Sequence, residues 1–286
     1  MENDEKLKIK VAVNSFVKQK GLSKNELAIQ LQISSATLSN IEYERWDLLK
    51  NEMLVRVWNA VKPSNEWVLI KTSNFETAFE LCNDARMERK LVGLIGYPGA
   101  GKTTALKQYY RQHPNTWYVS GQKSMKPRRF FEKLLRQMGV MFTGTIFDMI
   151  ERLSQELNNR PGSILIIDEA GKFDDTMFMY LHDLRNETEE TTGIILAGVE
   201  YFKANLEKAV TKQKQGMPEF FSRIISWQIL QRPSRNEIKA ICEQNGVTET
   251  EYVNQIQRSK DFRSVSNGIK NVLLIQKQNH HEPILN

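Results

Sequence analysis

One stretch constrains this chain more than any other: Gly96-Tyr97-Pro98-Gly99-Ala100-Gly101-Lys102-Thr103, which fits G-x-x-x-x-G-K-[ST] with no mismatch. Glycines let backbone wrap around an anion, and the N–H groups of the loop and of a following helix start then face phosphate oxygens. Lys102 supplies a point charge for the β and γ phosphates of a nucleotide, and the Thr103 hydroxyl is an oxygen ligand for Mg2+. Average residue usage gives such a match by chance in roughly one chain of this length in a hundred. The surroundings agree, because an apolar run over Leu91–Ile95 precedes the loop and a helical pattern over residues 102–111 follows it. The expected ATP-binding set is Gly96, Pro98, Gly99, Ala100, Gly101, Lys102, Thr103 and Thr104.

Further on, Ile164-Leu165-Ile166-Ile167 runs into Asp168-Glu169. Four consecutive apolar residues predict a strand buried on both faces, which places Asp168 at its C-terminal end, where ligands collect in open α/β sheets. Asp168 is expected to hold Mg2+ through water, with Glu169 as the base that polarises the attacking water. An Asp-Glu pair alone is common on surfaces. After such a strand and downstream of a phosphate loop, it points to hydrolysis rather than binding alone.

Between and beyond these motifs, strands and helices alternate, which predicts a parallel sheet. The pattern gives strands at Thr116–Ser120 and residues 194–197, and helices over 128–138 and 146–157. From Pro233 the texture is helical: Ser234-Arg235-Asn236-Glu237 is a capping box, followed by helices over 237–244, 249–257 and 265–278, with a frayed tail. Pro63-Ser64-Asn65 looks like a linker. The expected divisions are residues 1–62, 63–232 and 233–286.

Residues 1–62 read as all helix. Ser23-Lys24-Asn25-Glu26 is another capping box, Gln32-Ile33 a tight turn, and Ser34 the cap of a second short helix to about Glu42, with Ala28, Ile33, Leu38 and Ile41 facing inward. This stretch resembles the phage-repressor type of helix-turn-helix. The resemblance implies that Ser34, Ser35, Thr37 and Asn40 face the major groove or its phosphates. Ten Lys or Arg against eight acids in these residues make only a weak positive field, so a bundle used for protein contacts is the alternative.

Taken together, residues 66–278 resemble the AAA+ ATPases. That resemblance implies a P-loop α/β core with a five-stranded parallel sheet and a helical lid, and hydrolysis at subunit interfaces. It assigns Arg223, in Phe220-Phe221-Ser222-Arg223-Ile224, as the arginine that reaches a neighbour's γ-phosphate. A surface arginine flanking a strand is the other reading. Lys260-Asp261-Phe262-Arg263 is similar to the lid arginine motif, which implies Arg263 as a further nucleotide contact, against the plainer reading of a structural arginine. One departure stands out: Val199 falls where the family has a polar group after the fourth strand. Either the alignment is off by one or two residues, or water positioning is weaker and hydrolysis slow.

Within AAA+ proteins, Gly-Tyr-Pro-Gly-Ala-Gly-Lys-Thr-Thr, Ile-Ile-Asp-Glu-Ala and Gly-Ile-Ile-Leu-Ala-Gly, preceded by the repressor-like segment, resemble the phage Mu B and transposon target-selector branch. The resemblance implies ATP-dependent rings or filaments on duplex DNA with little sequence preference, and delivery of that DNA to a transposase that stimulates hydrolysis. An ATP-switched helix-turn-helix regulator and a helicase-loader-like ATPase are the alternatives. The net charge of +6 favours a polyanionic partner only where cations cluster. They do over residues 121–136, where Lys123, Lys126, Arg128, Arg129, Lys133 and Arg136 face one acid, Glu132. Phosphate contacts by Lys123, Lys126, Arg128 and Arg129 are expected, against the plainer reading of a solvated helix face. Lys203, Lys208, Lys212 and Lys214 read as a looser basic loop.

No apolar run suggests a membrane span, and the Met1-Glu2-Asn3-Asp4-Glu5 start lacks a signal pattern. Cys82 and Cys242 suit neither zinc nor a disulfide. A cytoplasmic chain with reduced thiols is expected.

Overall fold

The computed structural model describes residues 3–20, 23–31, 33–61 and 68–279. Gly21, Gln32, the Pro63-Ser64-Asn65 segment and the tail beyond residue 279 lie outside them. The chain divides into two compact units, Met1–Val68 and Leu69–Asn286, and the described elements of the first are all helical.

The first unit contains α1 (Asn3–Lys20), α2 (Lys24–Gln30), α3 (Ser35–Glu42) and α4 (Asn51–Val61). Helix α2 starts where its sequence dictates: Ser23 Oγ accepts from Glu26 N, and Glu26 returns a carboxylate oxygen to Ser23 N at 2.7 Å. Hydrogen bonds to it from the Ser23 N–H and hydroxyl hold the Glu26 carboxyl below its usual range. Ser34 caps α3 one way only, its Oγ accepting from Thr37 N. Ile9, Val13, Leu27, Leu38, Ile41, Leu54 and Val57 close a small core shared by all four helices. Ala28 is buried with them, and Ile33 packs against them.

The second unit opens with α5 (Ser73–Met87), capped by the Thr72 hydroxyl. It continues through β1 (Leu91–Ile95), α6 (Lys102–Gln112), β2 (Thr116–Ser120), α7 (Pro127–Gln137), α8 (Ile146–Asn158), β3 (Ser163–Asp168) and α9 (Asp175–Thr188). Next come β4 (Thr192–Gly198), α10 (Glu200–Thr211), α11 (Met217–Ser222) and β5 (Ile224–Ile229). Three helices complete it: α12 (Arg235–Gln244), α13 (Thr250–Ile256) and α14 (Phe262–Asn279). Lys203 and Lys208, expected in a loop, are part of α10, and Lys214 pairs with Asp175 at 2.6 Å.

The strands form one parallel sheet in the order β2-β3-β4-β1-β5. Period-two alternation sorts its side chains into two cores. Val92, Leu94, Ile164, Ile166, Ile195 and Ala197 face α5 and α6, meeting Phe75, Cys82, Leu106 and Tyr109. Leu91, Ile95, Leu165, Ile167, Ile194 and Leu196 face the other way, against Phe130, Phe131, Leu153, Leu181 and Phe202. A sheet covered on both faces explains why its inner strands are apolar at nearly every position. Cys82 and Cys242 are both buried free thiols. Among the described residues, no helix is long and apolar enough to cross a membrane.

Helix α5 lies so close to the sheet that a Cβ on Gly193 would stand 2.2 Å from the Ala85 carbonyl oxygen. Backbone cannot move aside as a flexible side chain can. Gly193→Ala is therefore expected to cost about 3 kcal/mol or more of stability, read from the urea unfolding midpoint. A loss below about 0.5 kcal/mol, the ordinary scatter of surface changes, would show that α5 is free to shift off the sheet.

Candidate functional site

The phosphate loop connects β1 to α6, so it emerges at the C-terminal edge of a central strand. Gly99 and Gly101 have φ of +89° and +90°, backbone that side-chain-bearing residues rarely adopt. These two turns let the chain curl back before α6 begins, aiming the start of that helix into the concavity. Lys102 is buried, and its Nζ donates to the carbonyl oxygens of Gly96 at 2.5 Å and Tyr97 at 3.2 Å. Burial pulls its pKa down, the charges of Asp168, Glu169 and Glu200 oppose that, and Arg263 adds to it.

Asp168 ends β3 on the face of Ile164 and Ile166, the face that α6 covers, so alternation alone directs its carboxylate toward the loop. Oδ2 accepts from the Thr103 hydroxyl at 2.7 Å, and Oδ1 from Glu169 N at 2.9 Å. The two motifs thus meet in direct contact. Glu169 follows in a left-handed conformation, φ +56°, opening the short turn Ala170–Lys172. Its Oε2 is 3.4 Å from Lys172 Nζ. Non-glycine residues held in this region carry strain and cluster at functional sites.

This donor set fits a magnesium-nucleotide. Among the described residues no group of three or more His, Cys, Asp or Glu could hold a metal alone. One hydroxyl and one carboxylate suit a cation that keeps several waters and takes its remaining ligands from phosphates.

Helix α14 closes over the loop. Phe262 N donates to Gly99 O at 3.1 Å, and Asp261 caps the helix through Ser264 while standing where a Cβ on Gly99 would go. Arg263 follows immediately, exposed and within electrostatic reach of Lys102. Arg223 lies elsewhere. It immediately precedes β5, whose first residue pairs with Leu91 at the start of β1, and it bonds Glu189 at 3.2 Å. In a parallel sheet that is the edge opposite the phosphate loop, roughly 20 Å away at the usual rise per residue. An arginine there cannot touch a nucleotide bound by its own chain. Val199 caps α10 after β4, and the first charged group beyond that strand is Glu200.

Of the expected DNA-facing groups, Lys123, Lys126, Arg128 and Arg129 are all exposed or half-exposed at the start of α7 and just ahead of it. Arg128 is engaged with Glu132 and the Gly144 carbonyl. Ser34 and Ser35 reach solvent and Asn40 is half-buried, but Thr37 corrects the expectation. It is buried, and its hydroxyl turns 2.9 Å from that of Ser34 to complete the cap of α3.

Two residues of the site carry no motif in the sequence. The Tyr118 hydroxyl on β2 donates to Asp168 Oδ2 at 2.8 Å; burial and the adjacent Asp168 charge push its pKa up, so the phenol remains a donor. Asn74, buried in the first turn of α5, donates to Ala100 O at 3.1 Å and Gln231 O at 2.7 Å and accepts from Gln231 N at 2.9 Å. It ties the phosphate loop to the β5–α12 connection, assisted by Tyr97, whose hydroxyl also donates to Gln231 O. A polar residue shortly after the Thr72 cap is the only signal for Asn74. Tyr118 offers none without the strand order.

Strand order, phosphate loop and carboxylate strand define a P-loop α/β fold, and the AAA domain family model matches residues 85–206. Within that class the chain is similar, over most of its length, to target DNA activators of Mu-like phages. It is 24% identical over 276 residues to "ATP-dependent target DNA activator B" of Escherichia phage Mu, covering 92% of this chain and 86% of that protein. The protein of the same name in Escherichia phage D108 is 23% identical over 275 residues with the same coverage. The Mu-like prophage FluMu DNA transposition protein B of Haemophilus influenzae is 22% identical over 198 residues, 66% of each chain. The Aeropyrum pernix ORC1 protein, solved in complex with DNA, shares the fold at a TM-score of 0.56 and 16% identity, over 80% of this chain and 66% of that one. The AAA domain match supports ATPase activity in general; the ORC1 likeness shows the fold alone.

Replacing Asn74 by Ala leaves the buried Ala100 carbonyl, and the Gln231 N–H and carbonyl, without this partner. The expected cost is roughly 1–3 kcal/mol of stability, measured by urea unfolding at fixed nucleotide. A change under about 0.5 kcal/mol would mean that water substitutes for the amide.

Proposed function

We propose that this chain is an ATP-dependent DNA-binding ATPase that oligomerises on duplex DNA and delivers that DNA to a transposase. The observation that carries the catalytic half is the 2.7 Å contact between Thr103 and Asp168. It brings together the loop that would cradle phosphate and the carboxylate that would hold a cation. Lys102 would exchange its two loop carbonyls for phosphate oxygens, and Arg263 would approach the same phosphates from the lid. Thr103 and Asp168 would hold Mg2+, which would supply neutralisation of the charge that develops on the phosphates. Glu169 would orient and deprotonate the attacking water once freed from Lys172.

The names of the relatives motivate the DNA and transposase half. A charge anomaly in this chain supports it independently. Lys126 caps α7, Arg128 and Arg129 occupy its first turn, and that turn has no acid. Cations at a helix N-terminus oppose the helix dipole, at about 0.3–1 kcal/mol each. A bound polyanion reverses that sign. With Lys123 they form a backbone-reading surface that needs no base contacts. Ser35 and Asn40 remain available for a second contact by the N-terminal unit, the Ser34 hydroxyl being engaged in the α3 cap, while Arg223, on the sheet edge away from its own loop, suits a neighbour's γ-phosphate. Slow turnover, stimulated by the partner, accords with Val199 in place of a polar group after β4. A cytoplasmic location accords with these partners.

The test is nucleotide-dependent DNA binding across a salt series. Wild type should bind duplexes of unrelated sequence only with ATP, with affinity falling steeply as salt rises. Lys102→Ala should lose ATP binding and assembly together. Glu169→Gln should retain ATP affinity, turn over at least about a hundredfold more slowly and stay trapped on DNA. A palindromic footprint that persists without nucleotide would instead mark a sequence-reading regulator. For Arg223→Ala, ATP affinity at high dilution should be unchanged while assembled hydrolysis drops by ~10³. Equal loss of both would remove the trans role.

A further inference from the structure

Asp168 is 1% exposed and receives three donors, which differ in what holds them. Glu169 N is fixed to the same turn and governs Oδ1 alone. Thr103 belongs to the phosphate loop, and on the nucleotide-site reading its oxygen also has a ligand to bind. Tyr118 sits on a separate strand of the rigid sheet. Parallel pairing of β2 with β3 sets Tyr118 beside Ile166 and Ser120 beside Asp168. The side chain on the same face, two residues back along the neighbouring strand, is therefore the one that can lean toward the end of β3. A phenol is long enough to cross that diagonal, and its hydroxyl arrives 2.8 Å from Oδ2. Its ring is anchored independently of that hydroxyl, by Tyr110 at 6.0 Å and by Lys107 Nζ at 5.9 Å from its centre, while Gln137 holds the Tyr118 carbonyl at 2.9 Å.

We propose that Tyr118 is a positioning residue for the cation carboxylate: its hydroxyl fixes the rotation of Asp168, so that the remaining lone pair, on Oδ1, would face a water of a nucleotide-bound divalent cation. This rests on the nucleotide-site reading above and extends it to a residue outside both motifs. Carboxylates that bind metals directly or through water act in one orientation, and a hydrogen bond from behind supplies it. Thr103 alone does not, because on the same reading its oxygen must also ligate the cation. The phenol keeps the carboxylate aimed in the empty and loaded states alike.

The test uses Mn2+ as a paramagnetic probe, titrated into the full chain in the presence of a non-hydrolysable ATP analogue, with binding read by electron paramagnetic resonance. Tyr118→Phe keeps the ring and deletes the donor. Mn2+ affinity is expected to fall about tenfold, while nucleotide affinity in EDTA stays within about twofold, which also certifies the fold. In an Asp168→Asn background the same substitution should add nothing further, since the two act as one unit. Unchanged Mn2+ affinity in Tyr118→Phe, a parallel loss of nucleotide affinity in EDTA, or an undiminished effect in Asp168→Asn would each overturn the assignment. If wild type itself shows no nucleotide-dependent Mn2+ binding, the nucleotide-site reading falls and takes this one with it. A normal wild type with an unaffected Tyr118→Phe removes the tyrosine's role alone.

Discussion

The hydrogen bond between Thr103 and Asp168 is the constraint from which most of the second unit can be understood. It requires the start of α6 and the end of β3 to lie within a side chain's reach at one sheet edge. Parallel strands satisfy this because all of them deliver their C-termini to the same side. The order β2-β3-β4-β1-β5 places only β4 between the two motif-bearing strands. Backbone pairing of β3 with β4 and of β4 with β1, rather than loops, therefore sets the distance between the motifs.

That geometry divides the labour among elements. Side chains on one sheet face build the core under α5 and α6, and the same alternation, continued one step past the apolar run, directs Asp168 at the loop. The opposite face spends its apolar residues on α7 to α11 and contributes nothing to the phosphate cradle. Asn74 and Tyr97 converge on Gln231, the residue from which the chain leaves the sheet toward α12. Ser73 extends the connection, since its N and Oγ both donate to Glu237 Oε1, the residue that also completes the α12 capping box. Loop, sheet exit and helical cover therefore share hydrogen-bonded residues. A change at the phosphate loop has a direct mechanical route to α12 and α14.

How much of this is legible in the sequence follows from range. The phosphate loop, the Asp168 strand and the capping boxes at Ser23 and Ser234 are local patterns, each set by a few adjacent residues, and all stand where the pattern puts them. Helices α5 and α9 start without such a signature, on a single Thr72 or Asp174 cap, and a cap alone does not announce a helix. At Lys203 and Lys208 charge suggests a loop, but the Phe202, Leu206 and Ala209 spacing outweighs it and seats α10 on the core. Residue type alone turns Thr37 outward, although a threonine three positions after a serine cap is placed to join that cap. Tyr118 and Asn74 depend on which strand lies beside which and on how the chain returns to the loop. That information resides in tertiary pairing, not in any window of sequence.

Arg223 shows the limit of local reasoning from the other side. Its motif is plain in the sequence, yet its meaning comes from topology: β5 runs parallel to β1, so the residue before β5 is carried to the edge remote from the loop that follows β1. Within one chain that guanidinium pairs with Glu189, an exposed partner of the kind that contributes little to stability. A pair so weak can exchange partners without much loss. A phosphate offered by a second copy, denser in charge and met bidentately, would draw the arginine away. On the proposed function, that exposed position becomes useful once another chain's loop is brought to it, which would shift the burden of turnover from the site itself to the encounter between copies.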